Sequence, residues 1–172
     1  MIYAFITKLR KFILKRKKKH YLQRLVQHGL KLGKNVEIIE TFFFDPSHCF
    51  LITIGDNTTI CPNVRLIAHD ASTKKFLGYT KIGKIEIEER CFIGDSVTIL
   101  PNVKIGSNSI IGAGSVVTRT IPDNSVAAGN PAKVIDSTDN YLKKMAEYGK
   151  AKKIFNKDYY IEKLDEKKRN EI

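Results

Sequence analysis

At 172 residues, 42% hydrophobic and 28% charged, the chain has the size and balance of one soluble globular domain able to bury a core. Its net charge of +12 sits almost wholly in residues 1–31, which hold ten Lys or Arg and no acid, while residues 32–136 hold ten bases against eleven acids. A neutral body of that kind excludes a whole-domain nucleic-acid surface. Three cysteines without framework spacing exclude a disulfide scaffold, and no apolar run reaches the ~20 residues that a bilayer span needs.

Residues 1–31 predict a basic amphipathic segment of one or two helices. Ile2, Phe5, Ile6, Leu9, Phe12 and Ile13 share a helical stripe, the run KRKKKH follows at 15–20, and Leu22, Leu25 and Val26 form a second apolar set before Gly29. Charges interrupt the apolar residues and no small-residue cleavage site closes them, so the segment is not a signal peptide and the expected location is cytoplasmic. Two roles stand open: a cap on the domain that follows, or peripheral contact of residues 1–20 with anionic membrane. No nucleic-acid partner is expected, because no aromatic-studded surface accompanies the charge.

From residue 32 an aliphatic residue recurs every six positions: Leu32 and Ile38, then Ile54, Ile60 and Leu66, then Ile87, Ile93, Ile99, Ile105, Ile111 and Val117. The next residue is often Gly (33, 55, 94, 106, 112), and four positions on stands a small or β-branched residue such as Thr58, Val64, Cys91 or Ser109. Neither a helix of period 3.6 nor a strand of period 2 generates six. A flat strand with one large inward residue, then a turn of Gly, Asn or Asp at positive φ, does; three such faces close a triangular coil of about 18 residues, and stacked coils bury one aliphatic column. Residues 70–81, DASTKKFLGYTK, break the period and predict a projecting loop of the kind that forms binding faces. Residues 136–172 predict a helical extension, a terminal cap or interprotomer arm packing through Tyr141, Leu142, Met145, Ile154, Phe155, Tyr160, Ile161 and Leu164.

Of four histidines, His20 lies in a charge run and His28 in a helical segment. His48 precedes the first clear coil, and His69 stands where a coil ends and the excursion begins. A histidine at a loop mouth on a rigid scaffold can reach a substrate, and an ordinary imidazole pKa of about 6.5 suits a general base, although a histidine at a turn, taken alone, is more often structural. Cys61 and Cys91 fall on repeat positions and predict packing, not an acyl-cysteine. A β-helix hydratase wants three histidine ligands, and this region offers two; no metal is expected.

The segment 54–135, from IGDNTTICPNV to the closing AGNPAKVI, resembles the hexapeptide-repeat acyltransferases, and most of all the maltose and galactoside O-acetyltransferase group. DPSHCFLITIGDN (45–57) and HDASTKKFLGYTKIG (69–83) resemble the branch that modifies surface polysaccharides. The resemblance covers residues 32–135. It implies a left-handed parallel β-helix flanked by N-terminal and C-terminal helical segments, usually a homotrimer with active sites between protomers. It implies acetyl-CoA as co-substrate, direct transfer to a sugar acceptor and His69 as the catalytic base. Ala113, Thr118 and Ala128 would line the pantetheine arm, with Lys133 and Arg119 near the nucleotide phosphates. Asp136 stands where some relatives carry a second basic residue. For the acceptor the candidates are Asp45, Ser47, His48, Asp70, Lys74 and Tyr79. Asp45–Pro46 replaces an Asn that holds sugar hydroxyls in the maltose and galactoside group, which leaves O- and N-acylation both open. A non-catalytic trimeric scaffold is the remaining alternative.

Overall fold

The computed structural model describes residues 2–151 and residue 166. Two compact units emerge, residues 1–138 and 139–172. The first is a parallel β-helix built of three faces. One face pairs the strands Lys31–Leu32, Ile52–Ile54, Ile85–Ile87 and Val103–Ile105. The next pairs Glu37–Ile38, Thr59–Ile60, Phe92–Ile93, Ile110–Ile111 and Ser125–Gly129, and the third Phe42–Phe44, Val64–Leu66, Thr98–Ile99 and Val116–Val117. All these contacts are parallel and in register, so each inward residue stacks on its counterpart one coil away: Leu32, Ile54, Ile87 and Ile105 on one face, Phe44, Leu66, Ile99 and Val117 on another. The stack is buried from Phe44 to Val117, and each isoleucine removed from water stabilises by about 1.5–3 kcal/mol.

The turns divide their labour differently from the sequence expectation. Positive φ falls on Asn35, Asn57, Asn63, Asn102, Asn108 and Asn124, and on Glu40, Arg90 and Ser96, never on the repeat glycines. Asparagine adopts this conformation at small cost and also bonds between coils: Asn35 Nδ2 donates to Asn57 Oδ1 at 3.1 Å, and Asn108 Nδ2 to Asn124 Oδ1 at 3.1 Å. The glycines serve close approach instead. A Cβ on Gly55 would lie 2.6 Å from the carbonyl carbon of Glu88, and one on Gly94 2.7 Å from the amide of Ala113, so only hydrogen lets the coils stack.

Helix α1 (Ile2–Gln27) is one continuous helix. Its C-terminal half covers the first coil: Leu25 is buried, the Tyr21 ring lies 5.7 Å from that of Phe42, Lys18 Nζ donates to the Ile38 carbonyl, and Gly29 at φ 101° turns the chain into the first strand. At the other end the strand Ser125–Gly129 turns through a cis Asn130–Pro131 bond and returns antiparallel as Ala132–Ser137. Residues 70–81 carry a short helix, α2 (Lys74–Leu77), at the tip of an antiparallel pair, His69–Asp70 with Lys81–Ile82. The second unit contains most of helix α3 (Thr138–Ala151). The expected packing residues Ile154, Phe155, Tyr160, Ile161 and Leu164 lie outside the described residues. No described helix is long and apolar enough to cross a membrane.

Candidate active site

The site forms where the six-residue period fails twice at one corner. Phe44 and Leu66 face each other in register at the end of the third face, so the residues after them, Asp45 and Ile67, begin the same corner on neighbouring coils. The Asp45 amide donates to the Leu66 carbonyl at 2.8 Å and fixes that stacking. From there the lower coil makes a detour through Pro46, Ser47, His48 and a 3-10 turn, Cys49–Leu51, before its next strand at Ile52. The upper coil leaves through Ala68 and His69 into the excursion. Residues 24 positions apart in sequence meet because both coils swell at one corner.

Asp45 is wholly buried there. Its Oδ1 accepts the Ser47 amide at 3.1 Å, and its Oδ2 accepts the Ala68 amide at 3.2 Å and meets His69 Nδ1 at 2.5 Å. His48 Nδ1 sits 3.4 Å from the same Oδ2; it is buried and has no hydrogen-bond partner, and its ring centroid is 5.1 Å from that of His69. Burial pushes the Asp45 carboxyl up, but the His69 hydrogen bond and charge, the Ser47 amide and the His48 charge outweigh it and hold the group below the usual carboxylate range. An ionised carboxylate only accepts, so His69 carries its proton on Nδ1 and keeps the Nε2 lone pair free. With 35% of its side chain exposed, His69 can offer that lone pair to a substrate.

Asp45 is therefore placed differently from the acceptor-facing role expected of it: its oxygens point inward and are taken. Ser47, Asp70, Lys74 and Tyr79 are exposed, and His48 is partly so. The Asp70 carboxylate accepts the Ser72 amide at 2.9 Å, which holds it below its ordinary range, and the Tyr79 carbonyl accepts Thr73 Oγ1 at 2.9 Å. The residues expected at the cofactor fall on two corners. Thr118 follows Val117 and so continues the corner of Asp45 and Ile67 two coils further on, with exposed Arg119 beside it. Ala113 lies at the corner before the third face; a Cβ on its neighbour Gly112 would come 3.0 Å from the Ala128 Cβ, and Ala128 pairs with exposed Lys133. Within one chain these two groups flank the third face, Thr118 and Arg119 on the corner of His69 and Ala113, Ala128 and Lys133 on the corner before that face.

Two other chemistries fit poorly. Asp45, His48 and His69 have the composition of a metal site, with donor atoms within 4.8 Å of one another. However, two ligands on one tetrahedral zinc stand roughly 3.3 Å apart, given bonds of about 2.0–2.1 Å. The 2.5 Å between His69 and Asp45 is a hydrogen bond. Cys61 and Cys91 are buried, and burial raises both thiols, that of Cys91 to about 11, away from the thiolate a nucleophile needs. Sequence reading missed Asp45 as the partner of His69. The signal was Phe44, six residues after Ile38, which puts Asp45 on the corner of His69.

Residues 84–119 match the family described as bacterial transferase hexapeptide (six repeats). YvoF of Bacillus subtilis is 33% identical over 121 residues, 69% of this chain and 68% of that protein. The galactoside O-acetyltransferase of Escherichia coli is 37% identical over 139 residues, 76% of this chain and 63% of that one. Among solved structures, a maltose O-acetyltransferase from Clostridium difficile shares 30% identity at a TM-score of 0.53, covering 66% of this chain and 72% of that one. A hexapeptide-repeat acetyltransferase of Vibrio cholerae, complexed with acetyl coenzyme A, shares the fold at a TM-score of 0.55 and 21% identity, over 70% of this chain and 77% of that one. The chain spans 56% and 64% of the lengths of two yeast relatives, from Schizosaccharomyces pombe and Saccharomyces cerevisiae. With the stacked hexapeptide coils and these matches together, the chain belongs to the hexapeptide-repeat acetyltransferase family.

Proposed function

We propose that this chain transfers an acetyl group from acetyl-CoA directly to a sugar hydroxyl, with His69 as general base and Asp45 as its positioning partner. The observation that carries the reading is the 2.5 Å contact between His69 Nδ1 and the buried Asp45 carboxylate. It locks one tautomer and leaves Nε2 as an acceptor at a solvent-reachable corner. Nε2 takes the proton of the acceptor hydroxyl while that oxygen attacks the thioester carbonyl. The tetrahedral intermediate collapses with loss of the coenzyme A sulfur, and the imidazolium returns its proton to that thiolate. Nothing covalent forms on the enzyme, so holding both substrates together supplies much of the rate advantage.

A surface polysaccharide or its precursor is the acceptor we favour, on the likeness of residues 45–57 and 69–83 to that branch. Residues 32–135 serve as the transferase body. Left-handed winding and a homotrimer in the cytoplasm go with the family, and the separation of the cofactor residues onto two corners supports sites shared between protomers: one chain's Ala113, Ala128 and Lys133 would complete a neighbour's His69. Acetyl-CoA-dependent thiol release with a panel of sugars and nucleotide-linked amino sugars tests the reading. His69→Ala should lower turnover by about 10²–10⁴. Full activity in that variant sinks the base assignment, and turnover on amino acceptors alone sinks O-transfer in favour of N-transfer.

A further inference from the structure

Helix α1 carries two apolar stripes, and among the described residues only one of them packs on the coils. The C-terminal half packs on the first coil through Lys18, Tyr21, Leu22 and Leu25. In the N-terminal half Ile6, Leu9 and Ile13 follow one another at helical spacing and are 55%, 48% and 43% exposed. Ile13 precedes Leu22 by nine residues and Leu9 precedes Leu25 by sixteen, which are about two and a half and four and a half turns. At 3.6 residues per turn Ile6, Leu9 and Ile13 therefore fall about 100–180° around the axis from Leu22 and Leu25. A cap on the coil accounts for the second half of α1 and not for the first.

We infer that the outward stripe of α1 docks on an anionic lipid surface, with Ile6, Leu9 and Ile13 entering the headgroup boundary. The charge selects this occupant. Residues 1–31 hold ten Lys or Arg and no acid, and Arg16, Lys17 and Lys19, just beyond the stripe, are exposed. A second copy of the same helix would bring like charges together. A nucleic acid offers phosphates but no apolar phase for three aliphatic side chains. Anionic lipid supplies both, and an amphipathic helix lying in the interface uses both. The inference is independent of the acyl acceptor.

Flotation of the full chain with vesicles of phosphatidylcholine alone, or mixed equally with phosphatidylglycerol, tests it. The native chain should float with the mixed vesicles, remain behind with neutral ones and lose binding in high salt. The triple variant Ile6→Ser, Leu9→Ser, Ile13→Ser keeps every charge; it should bind at least about tenfold more weakly, with its thermal unfolding unchanged because the replaced side chains are exposed. Lys17→Gln with Lys19→Gln, a second route that leaves the stripe intact, should weaken binding by about fivefold per charge. Equal flotation of native chain and triple variant would overturn the proposal, as would equal binding to neutral vesicles. So would a native chain that ignores both vesicle types while the triple variant sediments as a smaller species, which would give the stripe to a second copy.

Discussion

Two stretches of the same β-helix behave in opposite ways. From Ile87 to Val117 the six-residue period runs unbroken, each residue on it is aliphatic and buried, and corner amides bond to the neighbouring coil, as Gly94 does to Ile111 and Leu100 to Val117. From Phe44 to Ile87 the period breaks twice, and there a carboxylate is buried with two imidazoles around it. The difference shows why this coil concentrates its chemistry at the breaks. A regular coil commits most of its amides to the ladder, and one it spares, that of Ser107, goes to Glu88 and Asp123, carboxylates that solvent still reaches. The detours release two, those of Ser47 and Ala68, and both go to Asp45.

The largest test of that contrast is Asp45→Asn. The amide can turn its own N–H₂ toward His69, which then holds its proton on Nε2 and loses the lone pair that faces the acceptor. The kcat for thiol release should fall by about 10²–10⁴ with KM little changed, since binding groups are untouched. Asp95→Asn, an exposed carboxylate on the regular coils, should leave kcat within about twofold. Equal losses in the two variants would remove the distinction between the regions.

The converse test is a cavity in the regular stack. Ile99→Ala, wholly buried between Leu66 and Val117, should lower unfolding stability by about 2–5 kcal/mol in urea titration and leave kcat per folded molecule unchanged. Lys75→Ala on α2, which is exposed, should stay within about 0.5 kcal/mol of the native chain. A drop in kcat for Ile99→Ala at full folding would mean that the regular coils hold the site as well as the fold.

This division also explains what could be read from the amino-acid sequence. The column from Ile54 to Val117 was legible because one inward aliphatic residue per face is the simplest pattern the coil can have. His69 stood out because it lies at the mouth of the excursion. Asp45 was legible as a polar candidate but not in its orientation, since the nine residues between Phe44 and Ile54 hide the register that stacks it beneath Ala68 and His69. Gly, Asn and Asp all read as turn formers, yet positive φ falls on Asn57, Asn102 and their equivalents and on Gly114, not on the glycines that follow each aliphatic residue; close contact between coils is a property of the stack that no single hexapeptide reveals. Both stripes of α1 were visible as separate sets. Their separation around the axis became readable only once they proved to share one unbroken helix.

The smallest effect expected is in acid, where the two regions again part. Asp45 and Glu88 both have carboxyls held below their ordinary range, Asp45 by His69 and its amides against the push of burial, Glu88 first by the hydrogen bond from Lys104 at 2.6 Å. A depressed folded-state pKa means stability that is complete above the unfolded value, about 3.9 for Asp and 4.3 for Glu, and is lost as pH falls through the lower folded value. Both groups should therefore steepen the decline of stability below about pH 4. They should differ in their response to salt. The Glu88–Lys104 pair is partly exposed, with 33% and 46% of the side chains accessible, so mobile ions screen it; Asp45 is sealed from them. Unfolding midpoints followed from neutral to acid pH should lose part of their acid slope in Asp45→Asn at both low and high salt, and in Glu88→Gln only at low salt. An acid slope that Asp45→Asn leaves intact would mean that the carboxylate is not ionised in the folded chain, and the His69 tautomer argued from it would fall with it.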